Sequence, residues 1–144
     1  MKLPGGGFRT FIAGTQAASC PWRQVNLAKA WQNGRVDLNV VHRPVKARDA
    51  FAFAVDDGGS DLGFIPAPIA MWLWKEMRRG RKVKCALLWV GGEPNLGARI
   101  YLYLASGEPL RVPVEAIAQC QSPKTRMDWA KGGHAAWART NKRP

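Results

Sequence analysis

The sequence predicts a mainly β fold with some helix: a small OB-like barrel of five to six strands with one or two helices. Several segments of four to eight residues are rich in β-branched and aromatic residues. They are separated by turn residues, with 15 Gly and 10 Pro among 144 positions. One further apolar segment has helical spacing. A closed or partly open barrel would bury the strand edges that an open sheet exposes.

The first half of the chain contains four predicted strands, at residues 8–15, 35–40, 50–55 and 61–65. Gly14 ends the first strand, and Pro44 marks the limit of the second because proline cannot donate to a ladder. An Asp-Asp-Gly-Gly turn separates the third from the fourth. Residues 16–33 fit either a loop followed by two helical turns or an irregular hairpin.

The second half begins with a predicted helix over residues 69–79, which starts after two prolines and stops at Gly80. Strands are predicted at residues 83–90 and 99–104, so the order is β, β, β, β, α, β, β. We expect a flexible lead at residues 1–7, a barrel domain at residues 8–121 and a basic tail at residues 122–144.

Charge narrows the class of partner. The formal net charge is +12, which favours a polyanion, although a high pI can also serve solubility alone. We expect no membrane association, since no apolar run reaches about 18 residues and no amphipathic basic helix is evident. The three cysteines are widely spaced and predict free thiols in a reducing compartment, so a cytoplasmic location is expected.

Residues 42–55, from His42-Arg43-Pro44 to Ala54-Val55, then Leu62-Gly63-Phe64-Ile65-Pro66 and a helix ending in Arg79-Gly80, resemble the HIRAN domain family. The resemblance covers residues 8–105 and lies more in order and spacing than in residue identity. It implies an OB-like barrel that binds single-stranded DNA. In eukaryotic fork-remodelling translocases this domain reads the free 3′ end, which connects it with DNA repair, and in bacteria it also occurs as small stand-alone proteins.

Carried over from that family, Asp49 keeps the carboxylate that accepts the terminal hydroxyl's proton. Phe64 stands where the family has His or Tyr, and Lys46 and Arg48 lie in a loop that carries Asn and Tyr. With Arg43, these cations favour phosphate contacts in place of end recognition. The alternative for Asp49 is a structural role, capping the loop or pairing with a neighbouring cation.

The densest charge cluster spans the end of the predicted helix and the start of the next strand. It comprises Lys75, Arg78, Arg79, Arg81, Lys82 and Lys84. One or two cations at a helix C-terminus are explained by their favourable interaction with the helix dipole. Six cations are more than this interaction explains, so the cluster predicts a patch that contacts phosphate. Trp74 lies off the buried stripe and is a candidate for base stacking. Tyr101 and Tyr103 share a strand face and predict either a stacking platform or a pair covered by residues 112–117.

No catalytic motif is present in the sequence, and neither a metal site nor a cofactor is expected. The sequence therefore predicts a non-catalytic module that binds single-stranded DNA through a basic groove, with RNA as a second candidate ligand. The alternative is a protein-interaction adaptor from a phage or mobile element, which would dock through exposed Trp residues while its charge is incidental.

Overall fold

The computed structural model of the chain describes residues 3–44 and 50–120. These residues form six strands and three helices: β1 (Phe8–Phe11), α1 (Trp22–Gln32), β2 (Asp37–His42), β3 (Phe53–Asp56), β4 (Asp61–Phe64), α2 (Ala67–Arg78), β5 (Val83–Gly91), β6 (Gly97–Leu104) and α3 (Val114–Ala118). The predicted class, a small β-barrel with helices, is confirmed.

All six strands belong to one antiparallel sheet with the order β1-β6-β5-β2-β3-β4, curled into a half-barrel. The chain just beyond β1 meets the opposite edge of that sheet. Ala13 and Phe64 exchange both of their backbone hydrogen bonds, each 2.8 Å long. The edges of β1 and β4 are thus connected at one point. This connection shortens the length of unpaired strand edge that could otherwise pair with another chain and aggregate.

Gly63 permits this connection. Its φ is 152°, and a Cβ built there would lie 2.4 Å from the Ala13 carbonyl oxygen and 2.6 Å from the Ile12 Cγ2. Real Cβ atoms do not approach backbone that closely, so the two edges can meet only where β4 lacks a side chain.

The core lies on one face of the sheet, which we call the core face. Alternation along the strands places Phe53, Cys85 and Leu102 there, each 0–1% exposed. Helix α2 packs Ile69 and Leu73 into the same cluster. The opposite side of the sheet is called the outer face, and it carries Lys84, Tyr101 and Tyr103 by the same alternation.

The helices differ from the prediction in two respects. Residues 16–33, for which loop-plus-helix and hairpin were both open, contain an 11-residue helix, α1, that buries Leu27 and Ala30. The short helix α3 was not predicted. It contacts α2, and Ala116 joins the core cluster, so residues 112–117 do not cover the tyrosine pair on the outer face.

The predicted lead is described from residue 3 onward and is hydrogen-bonded to the sheet. The Tyr101 hydroxyl donates to the Pro4 carbonyl at 2.7 Å and accepts from the Gly7 amide at 3.0 Å. The predicted basic tail, residues 122–144, lies outside the described residues. Among the helices of the described part, none has the length and apolar character needed to cross a membrane.

Candidate nucleic-acid interface

An aromatic contact joins two segments that the sequence analysis treated separately. Phe51, at the start of the β3 region, meets Trp74 of α2 edge to face, with ring centroids 5.0 Å apart. Both side chains are half-buried and pack against the core. The residues after the predicted binding loop and the predicted stacking tryptophan therefore form one surface at the rim of the half-barrel.

Two cations of α2 lie over its aromatic rings. The Arg78 guanidinium carbon is 5.1 Å from the centre of the Trp74 ring, and the Lys75 ammonium is 4.4 Å from that of Trp72. These pairs arise from helix geometry, because residues three and four positions apart lie on one side. Both cations are exposed in the last turn of α2, where the helix dipole favours them.

Arg43 comes close to this surface through the backbone. Its amide donates to the Ala52 carbonyl at 2.8 Å, one residue from Phe51, and its side chain is exposed. We call Arg43, Phe51, Trp74, Lys75 and Arg78 the rim site. Lys46, Arg48 and Asp49, which the sequence analysis placed in the same interface, lie outside the described residues.

Phe64 is held elsewhere on the sheet. It pairs with Ala54 across β3 and β4, and therefore lies on the outer face, whereas Phe53 lies on the core face. The Arg23 guanidinium covers the Phe64 ring, with its carbon 5.2 Å from the ring centre. By alternation Arg43 shares the outer face with Phe64, but strand β3 separates them.

Arg79 and Arg81 have an internal partner. Glu76 is 1% exposed, and its carboxylate lies 3.3 Å from Nη1 of Arg79 and 3.6 Å from Nη1 of Arg81. Arg81 also lies 3.5 Å from Glu108, and the Arg111 amide donates to Glu76 at 3.4 Å. A buried carboxylate needs such partners, because burying an unpaired charge is very costly.

The predicted helix-end cluster therefore divides into two sets. Arg79 and Arg81 surround Glu76 and stabilise the fold, whereas Lys75 and Arg78 belong to the rim site. Lys82 is exposed at the start of β5. The sequence analysis did not assign Glu76 a role in holding these arginines. Its place on the buried stripe of α2, three residues before Arg79, was the signal that could have revealed its role.

A second ionic pair joins α1 to β4. Arg23, 7% exposed, donates from Nε to Asp61 at 2.7 Å, and Trp22 donates from its indole nitrogen to the other oxygen at 3.0 Å. Partial burial raises the pKa of Asp61, but the two hydrogen bonds and the Arg23 charge outweigh it, so that the pKa lies below its ordinary value.

The three cysteines are free thiols, and Cys85 and Cys120 are buried. Burial raises the pKa of the Cys85 thiol far above its ordinary value and that of Cys120 to about 12, so neither forms a reactive thiolate near neutral pH. Within residues 3–44 and 50–120, no group of three His, Cys, Asp or Glu residues could hold a metal ion.

The fold defines the class of protein: a small antiparallel half-barrel with helices packed on its core face. Comparisons with models of protein families, with curated proteins and with solved structures find no match to this chain.

Proposed function

We propose that this chain binds single-stranded DNA, without catalysis, through the rim site. The observation that carries the proposal is the contact between Phe51 and Trp74, with Arg78 stacked over the Trp74 ring. It places flat apolar rings beside exposed cations, which is the combination that single-stranded nucleic acids require: the rings stack on bases and the cations contact phosphates.

The overall charge supports the same ligand. A net charge of +12 raises the local concentration of a polyanion and is offset when phosphates bind. Lys75 and Arg78 remain in solvent, whereas the guanidinium groups of Arg79 and Arg81 are held at Glu76. The proposed binding cations, Lys75 and Arg78, are thus exposed and do not belong to the ionic pairs at Glu76. DNA is preferred to RNA on the sequence resemblance, and Lys46 and Arg48 would extend the contacts.

The proposal is tested by fluorescence anisotropy with a labelled 20-nucleotide single strand between 50 and 200 mM salt. Arg78→Ala should weaken binding and flatten the salt dependence. Trp74→Leu should weaken binding by roughly 1 to 3 kcal/mol per stacked base, because leucine keeps the apolar packing but removes the flat ring.

Arg35→Ala is the matched control. It removes the same charge just before β2 begins, at the opposite end of that strand from Arg43, and should leave the affinity nearly unchanged. Equal losses in Arg78→Ala and Arg35→Ala would show that only net charge matters and would refute the rim site. Tighter binding to duplex DNA, or to RNA of the same sequence, would refute single-stranded DNA as the ligand.

A protein-docking role is favoured by one observation, the exposed apolar side chains of α1. Trp22, Val25 and Trp31 are 43%, 54% and 45% exposed. Trp22 and Val25 lie on the same side of the helix. Trp31 lies on the opposite side from Trp22, about 180° around the helix axis, so the exposed apolar side chains form two small patches. If no nucleic acid binds and Trp22→Ala abolishes capture of a partner protein, the adaptor function replaces the proposal.

A further inference from the structure

A second aromatic pair lies on the outer face of the sheet. Tyr101 and Tyr103 of β6 stack on each other, with ring centroids 5.7 Å apart and ring planes inclined by 29°. Their neighbours Ile100, Leu102 and Leu104 point into the core, so alternation fixes both tyrosines on the outer face. Both rings are partly exposed.

The lead contacts the tyrosine pair and holds Tyr101 by hydrogen bonds. The Tyr101 hydroxyl is fixed by Pro4 and Gly7 of the lead, and a Cβ on Gly7 would lie 2.8 Å from the Tyr101 ring and 2.9 Å from the Cβ of Tyr103. The lead thus contacts the tyrosines closely and fixes Tyr101 before any ligand arrives. Because Tyr101 is already ordered, stacking a base on the neighbouring Tyr103 ring costs less conformational entropy.

Cations flank the pair on the same face. Lys84 of β5 lies directly opposite Tyr103, and Arg9 of β1 lies directly opposite Tyr101. Residues opposite each other in antiparallel strands have Cβ atoms about 5 Å apart, within reach of a phosphate next to a stacked base. Asp37 of β2 is an acidic group on this face. It pairs with Ala86, and its charge contributes to raising the pKa of Tyr103, although burial contributes more.

The chain connects this face to the rim site through the start of β5. Strand β5 is antiparallel to β2, so the start of β5, with Lys82 and Lys84, lies at the end of the sheet where β2 ends near Arg43. The same start follows α2 by four residues, and α2 ends in Arg78. Lys82 and Lys84 are both exposed, and along the chain they lie between Arg78 and the strand position opposite Tyr103.

We infer that a DNA strand bound at the rim site continues over Lys82 and Lys84 and stacks a base on Tyr103. The inference rests on the proposed function. It adds a second DNA-contacting surface, the face with Tyr103, to the rim site. A single strand suits this path because it passes from the rim onto a sheet face and must offer unpaired bases, which a duplex cannot do. The cations of the path are complementary to phosphate. Asp37 on the outer face and Glu108, 3.5 Å from Arg81, are acidic groups near it.

Photocrosslinking provides a direct test. A single strand carrying 5-iodo-deoxyuridine is irradiated with the full chain, and the attached peptide is identified by mass spectrometry. An adduct on Tyr103 is expected in addition to adducts at the rim site. Adducts confined to the rim site would overturn the second surface while leaving the proposed function intact.

Affinity measurements complete the test. Tyr103→Leu should weaken binding of a 20-nucleotide strand roughly five-fold or more, whereas Tyr103→Phe, which keeps the ring, should restore it. Lys84→Ala should lower the salt dependence, and Lys29→Ala on α1 is its charge-matched control. An unchanged affinity in Tyr103→Leu, alongside a loss in Arg78→Ala, would refute the second surface alone. Unchanged affinity in both variants would refute both proposals.

Discussion

Arg23 lies against Asp61 with its Nη2 2.6 Å from Oδ2 of the carboxylate, an ionic pair between a helix and a strand that are 38 residues apart in sequence. The other nitrogen, Nη1, donates to the Gly14 carbonyl at 2.9 Å. One side chain thereby connects α1, β4 and the segment after β1. It lies next to the bridge between Ala13 and Phe64 that joins the sheet edges.

Replacement of Asp61 by Asn should lower the free energy of unfolding at pH 7 by about 2 to 3 kcal/mol, because it removes a charge-assisted pair. The folded-state pKa of Asp61 lies below its ordinary value, so this stabilisation is present above the unfolded pKa of about 4 and is lost as the pH falls through the folded pKa. Urea denaturation at pH 7 and at lower pH should show the two proteins converging in acid.

Asp57→Asn is the control for that experiment, since Asp57 accepts a local bond from the Gly59 amide at 3.1 Å within its own turn. It should change stability by less than about 0.5 kcal/mol. A difference between Asp61→Asn and the parent that persists undiminished in acid would contradict the assignment.

Gly63→Ala should destabilise the protein by about 2 kcal/mol or more. The new methyl group would lie 2.4 Å from the Ala13 carbonyl oxygen and force the sheet edges apart. Gly59→Ala is the matched control, because the nearest atom to its Cβ, Asp57 Oδ1, is 3.5 Å away. Thermal unfolding of both variants tests this, and equal melting temperatures would show that the edges tolerate separation.

Glu76→Gln should destabilise the fold by roughly 1 to 3 kcal/mol, because the charge that holds Arg79 and Arg81 is lost while their side chains remain. Affinity for DNA should not fall in the folded variant, since two guanidinium groups are released. Denaturation and anisotropy on the same preparation measure both effects. A weaker affinity with unchanged stability would place Glu76 in the interface instead.

Arg78 and Arg79 are adjacent in sequence but should behave differently. Arg78→Ala should reduce the slope of log affinity against log salt by about 1, the value for one phosphate contact. Arg79→Ala should reduce it much less, because that guanidinium lies at Glu76. Anisotropy at four salt concentrations separates them, and matching slopes would mean that the ionic pair opens on binding.

Asp37→Asn should raise the affinity for single-stranded DNA, by about two-fold at low salt and less at high salt. Asp37 lies on the outer face opposite Ala86, which pairs with Tyr101, so its carboxylate should repel a phosphate bound on this face. Asp57→Asn again provides the comparison, since Asp57 lies in the turn between β3 and β4. A loss of affinity in Asp37→Asn would argue against a strand on this face.

Much of the fold was predictable because local patterns and tertiary packing agree. The short apolar segments at residues 83–90 and 99–104 predicted strands, and β5 and β6 are observed at Val83–Gly91 and Gly97–Leu104. The stripe that includes Ile69 and Leu73 predicted α2 within two residues at its start. Helix α1 was ambiguous because its apolar residues do not form one buried stripe: Trp22, Val25 and Trp31 are exposed, whereas Arg23 is buried.

The candidate site was predicted in its parts but not in its arrangement. The sequence suggested Trp74 as a stacking residue and the helix end as a basic cluster. It did not show that Phe51 contacts Trp74, or that Glu76 engages two of the arginines. Contacts of this kind join segments distant in sequence, and periodicity reports only the direction of a side chain relative to its own helix or strand.

The sequence by itself determined the β-rich class, the helix α2 and the surplus of positive charge, since each follows from composition and local spacing. Only the tertiary structure decided which cations at the end of α2 pair with Glu76, and how the sheet edges meet at Gly63. The physical reason is that burial and charge pairing depend on distances between segments. Those distances are set when the sheet curls and the helices pack on its core face.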